Sequence, residues 1–143
     1  MTTTPLPEAP VLSAIELTAR WSDLLDSPRC SRRTLWLAWM TADGVMLPLL
    51  TPVDDLPIAP DPNLCDALLA LHGAVVEDVG VGRLHLTMTL SRPGTPAVRH
   101  DDAAWAEALR TGLGERLDGS WSLHLAAAGT VAPMVDPPPW AWG

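Results

Sequence analysis

The sequence contains no Lys, Phe or Tyr, and charged residues make up only 18% of it. All nine basic side chains are Arg, and the large aromatic side chains are seven Trp. With a formal net charge of −8, the chain has no basic stripe that could displace counterions from a nucleic-acid duplex. The composition therefore argues against direct binding to nucleic acid.

Cysteine is also scarce, since only Cys30 and Cys65 are present and they form no CxxC pair. This spacing predicts reduced, free thiols rather than a disulfide or a metal site. The N-terminal stretch "MTTTPLPEAP" lacks the basic start and apolar core of a signal peptide. No apolar run reaches the roughly 18 residues of a membrane span. We therefore expect a cytoplasmic protein that does not contact membranes.

The length of 143 residues suits one domain with its own core. We expect residues 1–11, rich in Thr and Pro, to be disordered. Residues 12–136 are predicted to form a single α/β domain, followed by a Pro- and Trp-rich tail at 137–143. No internal repeat is visible.

The first half of the domain predicts a helix over residues 12–26 and then a β-hairpin. Asp43-Gly44 is a strong turn signal between two apolar runs, 35–40 and 45–50. The first run is apolar on both faces, which is typical of a strand inside a sheet. Pro48 in the second run indicates an edge strand or a bulge.

The second half predicts a helix, a strand, a helix and two strands around a turn at Gly129. The strand "RLHLTMTLS" alternates cleanly between apolar and polar side chains. The first of these helices is expected to face inward through Leu64, Leu68, Leu71 and Val75, and the second, from Asp101, through Trp105, Leu109, Gly112 and Leu113. The fold class is therefore α/β, a mixed β-sheet with flanking helices.

The stretch "LSRPGTPAVRHDDAAWAEAL", residues 90–109, runs from a strand end through a Pro-Gly loop into an acidic helix start. Together with the preceding elements, this order resembles the JAB/JAMM domain, particularly its RadC-like branch. In that family the strand ends in His-x-His-Pro-x-Gly, and an Asp about eleven residues beyond the second His starts the next helix. The family's three side chains hold zinc, and an upstream Glu acts on the zinc-bound water.

The chain departs from the family motif at the ligand positions. Leu90 and Arg92 stand where the two His would be, and neither residue type binds zinc. No Glu occurs in or near the hairpin that could serve as the general base. The resemblance therefore implies a vestigial site with no catalytic residue, metal or cofactor, formed by Leu90, Arg92, Pro93, Gly94 and Asp102.

Other metal sites have weaker support. Residues 100–102, His-Asp-Asp, could hold a metal, but acidic residues at a helix start more often complement the helix dipole. His85 and His124 lie on strands that could pair, which would make the imidazoles neighbours. Half-exposed sheet histidines are the preferred interpretation, and His72 is expected at the surface. Arg32 and Arg33 could contact an anion, although a solvated strand start is preferred.

Nucleophilic catalysis has little support in the sequence. Ser91 and Ser120 lie near predicted loops, but the chain has no GxSxG motif. Cys65 falls in the first turn of a predicted helix, whose dipole could lower the pKa of the thiol. Neighbouring acidic side chains oppose this effect, so we expect a buried or inert thiol.

The tail "PPPWAWG" places Trp140 and Trp142 at alternate positions after a proline run. Tryptophan is enriched in interface hot spots. Two interpretations stay open: the tail covers its own domain, or it docks on a partner or a second copy. We expect a non-enzymatic interaction or scaffold protein with a protein partner or as a homodimer. The alternatives are a hydrolase with a non-standard site and an accessory factor in DNA metabolism.

Overall fold

The computed structural model describes residues 10–25, 32–80, 83–114, 116–117 and 120–137. Their elements follow the predicted order: α1 (Ala14–Leu24), β1 (Thr34–Thr41), β2 (Met46–Val53), α2 (Pro62–Val79), β3 (Leu84–Ser91), α3 (His100–Leu113), β4 (Trp121–Ala127) and β5 (Thr130–Val135). The tail residues Trp140 and Trp142 lie outside the described residues. No helix in the described part of the chain is long and apolar enough to cross a membrane.

The strands form one five-stranded sheet in the order β2-β1-β3-β4-β5. β3 and β4 are parallel and are connected through α3, whereas all other neighbouring pairs are antiparallel. The protein is therefore an α/β fold with a mixed sheet flanked by three helices. As predicted, β1 lies inside the sheet and β2, with Pro48, lies at an edge. β5, which contains Pro133, forms the other edge.

One face of the sheet is covered by α2 and α3 and holds the larger apolar core. In α3 the predicted inward residues Trp105, Leu109 and Leu113 are buried. The inward stripe of α2 differs from the prediction, because Leu71 is 36% exposed whereas Cys65 is buried. A Cβ at Gly112 would lie 2.4 Å from the Cys65 Sγ, so the close approach of α2 to α3 at this glycine turns Cys65 inward.

The opposite face is covered by α1, whose first turn is capped by the Ser13 hydroxyl. Leu17 and Trp21 are its buried side chains. Val11, at the end of the predicted N-terminal segment, is buried, and its N–H donates to the Gly44 carbonyl at 2.8 Å. Together with Ala38, Met40 and Met46, these residues form a second, smaller core.

Candidate functional site

The expected vestigial residues lie where β3 ends and α3 begins. Leu90 is the penultimate residue of β3, Arg92 follows the strand, and Asp102 lies in the first turn of α3. All three are buried, and loop 93–99 between them is exposed throughout. The carboxyl end of a parallel strand, next to a helix N-terminus, is a common position for ligand sites in α/β folds. The structure thus brings Arg92 and Asp102 together at such a position.

Arg92 and Asp102 form a buried bidentate ion pair. The Arg92 Nε donates to Asp102 Oδ1 at 2.7 Å, and Nη2 donates to Oδ2 at 2.6 Å. The other three N–H bonds of the guanidinium point to loop carbonyls: those of Pro93 at 3.1 Å, Thr95 at 2.8 Å and Ala97 at 2.8 Å. A guanidinium has five N–H donors, and all five are accepted here. The buried charge is therefore fully hydrogen-bonded, which offsets its desolvation cost.

Asp102 also organises the start of α3. Its Oδ2 accepts a hydrogen bond from the Arg99 backbone N–H at 2.8 Å, which caps the helix. Burial alone would raise the pKa of Asp102, but the hydrogen bonds from Arg92 and Arg99 and the Arg92 charge bring it below its ordinary value. The carboxylate is therefore ionised and has no oxygen left without a donor. This agrees with the preferred interpretation of residues 100–102 as a helix start.

A second ion pair joins β1 to the same helix start. The Arg33 Nη2 donates to Asp101 Oδ2 at 2.5 Å, and Arg33 Nη1 lies 3.7 Å from Asp102 Oδ1. The hydrogen bond from Arg33 lowers the pKa of Asp101. The expectation of a solvated Arg33 is therefore wrong, because two carboxylates of α3 draw its side chain against the domain until only 13% of it is exposed. Arg32 remains exposed.

The Arg92–Asp102 pair of this site is saturated, whereas the buried Arg33 Nη1 has no hydrogen-bond partner among the described residues. Each Asp is paired with an Arg, and His100 is exposed at the helix start. Among the described residues no group of three or more His, Cys, Asp or Glu side chains could hold a metal ion. A metal could reach Asp102 only by displacing the guanidinium.

The structure contains a second buried polar cluster that the sequence patterns did not predict, on the face of the sheet under α1. We call it the polar seam, and it consists of His85, Thr87, Thr89, Ser122 and His124, all at most 1% exposed. The expectation of half-exposed histidines is wrong, because α1 covers this face. The strands pair as proposed, but in parallel register His124 lies opposite Thr89 rather than His85. The two imidazoles are therefore not cross-strand neighbours.

One half of the polar seam is a chain of hydrogen bonds. The His85 Nε2 lies 2.9 Å from the Ser122 Oγ, and the Ser122 hydroxyl donates to Thr87 Oγ1 at 2.9 Å. The Trp21 indole N–H of α1 donates to the same Thr87 oxygen at 2.8 Å. Burial, and then the nearby His72 and His124, lower the pKa of His85 to about 3. His85 is therefore neutral at physiological pH.

The other half of the polar seam is incompletely paired. The Thr18 hydroxyl donates to the Ala14 carbonyl at 3.2 Å, so it accepts from the Nε2–H of His124, 2.8 Å away. The His124 Nδ1 is then an acceptor, and within the described part of the chain neither it nor the Thr89 hydroxyl has a hydrogen-bond partner. Burial lowers the pKa of His124 to about 4, against the opposing effect of Asp136.

Among the candidates for nucleophilic chemistry, Ser91, Ser122 and Cys65 are buried, while Ser120 is 4% exposed and lines a cleft beside His72. A serine hydroxyl beside an imidazole is the arrangement of a base-activated nucleophile, but Ser122 and His85 are fully buried under α1. Ser91 accepts from the Trp36 indole at 3.0 Å. Cys65 is a free, buried thiol whose pKa is raised by burial and by Asp66, as expected for an inert cysteine.

Comparison of the chain with known protein families, with curated proteins and with solved structures finds no significant match.

Proposed function

We propose that the chain is a non-enzymatic interaction domain derived from a JAB-like fold, in which Arg92 has taken over the structural role of the metal. The observation that carries this proposal is the bidentate Arg92–Asp102 pair. The resemblance assigns Leu90, Arg92 and Asp102 to the three ligand positions. A guanidinium at the second position now holds the carboxylate at the third.

Replacement of the metal by Arg92 would keep the strand end and the helix start together and would remove the hydrolytic chemistry. A metal holds its ligands in place and leaves one position open for water. The Arg92 guanidinium holds Asp102 and three loop carbonyls, but it has no vacant position at which water could be activated. Such a site stabilises a loop and a helix start without acting on a substrate.

The surface that this loop presents supports a role in protein contacts. Loop 93–99 is exposed over its whole length while its backbone is held by Arg92, so binding through it would cost little ordering entropy. Val98 in this loop is 58% exposed. Strand addition is disfavoured, because Pro48 and Pro133 interrupt the two edge strands.

A gain of metal binding tests the derivation. The double substitution Leu90→His and Arg92→His should restore two imidazoles beside Asp102. We expect the purified variant to hold zinc at a 1:1 ratio to chain by elemental analysis, and addition of Asp102→Asn should abolish this binding. Stoichiometric zinc in the unaltered protein, or a folded double variant with no affinity for zinc, contradicts the proposal.

Removal of the tail tests the interaction role. A chain ending at Asp136 lacks Trp140 and Trp142. If the tail contacts a second copy, light scattering at low protein concentration should show a shift from dimer to monomer. Lower thermal stability at unchanged mass would assign the tail to its own domain and contradict a tail-mediated interface. The exposed substitution Val98→Glu tests loop 93–99 in the same assay.

A further inference from the structure

A cleft of about 360 Å³ lies at the opposite end of the sheet from Arg92. It is bordered by the second half of α2, the start of β3, residues 116–117 beyond α3, and Ser120 before β4. This volume is at the lower end of the range of small-molecule sites, roughly 300–1,000 Å³. Its described lining residues belong neither to the Arg92–Asp102 site nor to the polar seam.

The lining of the cleft combines apolar and cationic groups. Val76, Leu84 and Leu117 provide the apolar surface, while Arg83 and Arg116 provide two guanidinium groups. Glu77 is the single carboxylate among the described lining residues. Among the described lining residues, two guanidinium groups therefore face one carboxylate, in a chain whose formal net charge is −8. Guanidinium groups bind carboxylates and phosphates through paired hydrogen bonds.

His72 adds a neutral donor to the wall of the cleft. Its Nδ1 accepts a hydrogen bond from the Trp39 indole N–H at 3.2 Å. Nδ1 is therefore the unprotonated nitrogen, and the proton of the neutral ring is on Nε2. Burial lowers the pKa of His72, so the neutral ring is the form present at physiological pH. The cleft thus contains a histidine N–H whose tautomer is set by the core.

We propose that this cleft binds a small organic anion with an apolar body. Arg83 and Arg116 bind its carboxylate or phosphate, and the body packs on Val76 and Leu117. His72 donates a hydrogen bond from Nε2. Asp66 competes for Arg116, since its Oδ1 lies 3.6 Å from the Arg116 Nη1 at the exposed rim. This inference is independent of the proposed interaction role.

Nuclear magnetic resonance on the ¹⁵N-labelled full chain gives a local readout. Phenyl phosphate and benzoate serve as probes, with benzyl alcohol as the uncharged control and inorganic phosphate as the control without an apolar body. Because Trp39 contacts His72 directly, both organic anions should shift its indole N–H signal, while the signal of Trp105 stays unchanged. No shift at Trp39, or equal binding of benzyl alcohol, overturns the proposal.

Matched exposed variants separate recognition from folding. Arg116→Gln should weaken phenyl phosphate about tenfold, the loss of one charge-assisted hydrogen bond. Asp66→Asn should strengthen binding, because it removes the competing carboxylate. Arg110→Gln should leave affinity unchanged, because Arg110 is an exposed arginine that pairs with Glu107 and does not line the cleft. Equal effects of Arg110→Gln and Arg116→Gln, or weaker binding by Asp66→Asn, contradict the proposal.

Discussion

Strand β3 separates two buried polar systems that differ in how completely they are paired. At its end, Arg92 has all five N–H donors accepted and Asp102 has both oxygens occupied. On its other face, the polar seam is neutral, and within the described residues His124 Nδ1 and the Thr89 hydroxyl lack partners. A saturated network specifies one structure, whereas a partly satisfied one weakens the packing around it. We infer that the Arg92–Asp102 site, at the start of α3, resists local opening more than the polar seam does.

The apolar packing differs in the same direction. α2 and α3 cover the large core that includes Trp39, Trp105 and Trp121. α1 covers the smaller core and reaches the polar seam through the side chains of Thr18 and Trp21. Elements with few buried apolar contacts open at lower free energy than the rest of a domain. We therefore expect α1 to open before α3.

The largest effect is expected at the ion pair. Arg92→Ala leaves the Asp102 charge buried without its partner and three loop carbonyls without donors. It should lower the free energy of unfolding by about 3–5 kcal/mol in chemical denaturation. The double variant Arg92→Met with Asp102→Leu should recover the part of this loss that comes from the unpaired buried charge, although the loop carbonyls and the Arg99 N–H stay without these partners. Arg110→Ala, at an exposed pair, should change stability by less than about 1 kcal/mol. A similarly small loss for Arg92→Ala would remove the contrast between the two systems.

Two fully buried tryptophans test which side opens first. Trp21 of α1 and Trp105 of α3 each donate an indole hydrogen bond, to Thr87 and to the Pro57 carbonyl at 2.9 Å. Each change to Ala should cost about 3–5 kcal/mol if the domain unfolds as one unit. Hydrogen exchange should separate them, because Trp21→Ala should expose the amides of α1 first and Trp105→Ala should weaken protection throughout. Identical exchange patterns would show that α1 is as firmly held as α3.

The fold was largely predictable from the sequence because its signals are local. Alternation in β3, the apolar run of β1 and the Asp43-Gly44 turn indicate strands from neighbouring residues alone. The phase of α3 followed from the spacing of Trp105, Leu109 and Leu113 and is confirmed by their burial. The observed element order and the mixed sheet also agree with the prediction.

The burial of the polar seam could not be predicted in this way. Whether the polar face of β3 meets water depends on α1, which is distant in sequence. The alternation of residues along β3 does not indicate whether a helix packs on that face. The pairing of Arg92 with Asp102 was missed for another reason. Comparison with a zinc motif treats Arg92 as a lost ligand and Asp102 as a retained one, although opposite charges at a strand end and the next helix start also indicate an ion pair.

Acid should destabilise the polar seam before it affects the ion pair. The pKa of His124 is about 4 and that of His85 about 3 in the folded protein, both below the ordinary value of 6.5. The unfolded chain therefore binds more protons below pH 6.5, and stability falls as pH decreases from about 6.5 towards 4. The loss should be on the order of 2–3 kcal/mol for each histidine at pH 4.

The ion pair responds in a lower pH range. The pKa of Asp102 is held below 3.8, so its stabilisation is present above that value and is lost as pH falls further. Denaturation between pH 7 and 4 on the unaltered protein and on His124→Leu measures the histidine contribution, because the ion pair responds only at lower pH. The pH dependence should be smaller in His124→Leu than in the unaltered protein. A free energy of unfolding that is constant over this range would contradict buried neutral histidines.

The smallest effect distinguishes two threonines of the same strand. Thr87 and Thr89 are both fully buried on the face under α1, and valine has nearly the same shape. Thr87 accepts hydrogen bonds from Trp21 and Ser122, so Thr87→Val leaves two buried donors unpaired and should cost about 1–3 kcal/mol. The Thr89 hydroxyl has no partner among the described residues, so Thr89→Val should leave stability unchanged or raise it by up to about 1 kcal/mol. Parallel denaturant titrations of the two variants measure the difference. If Thr89→Val costs as much as Thr87→Val, the Thr89 hydroxyl is paired through an internal water, and the polar seam is as saturated as the Arg92 site.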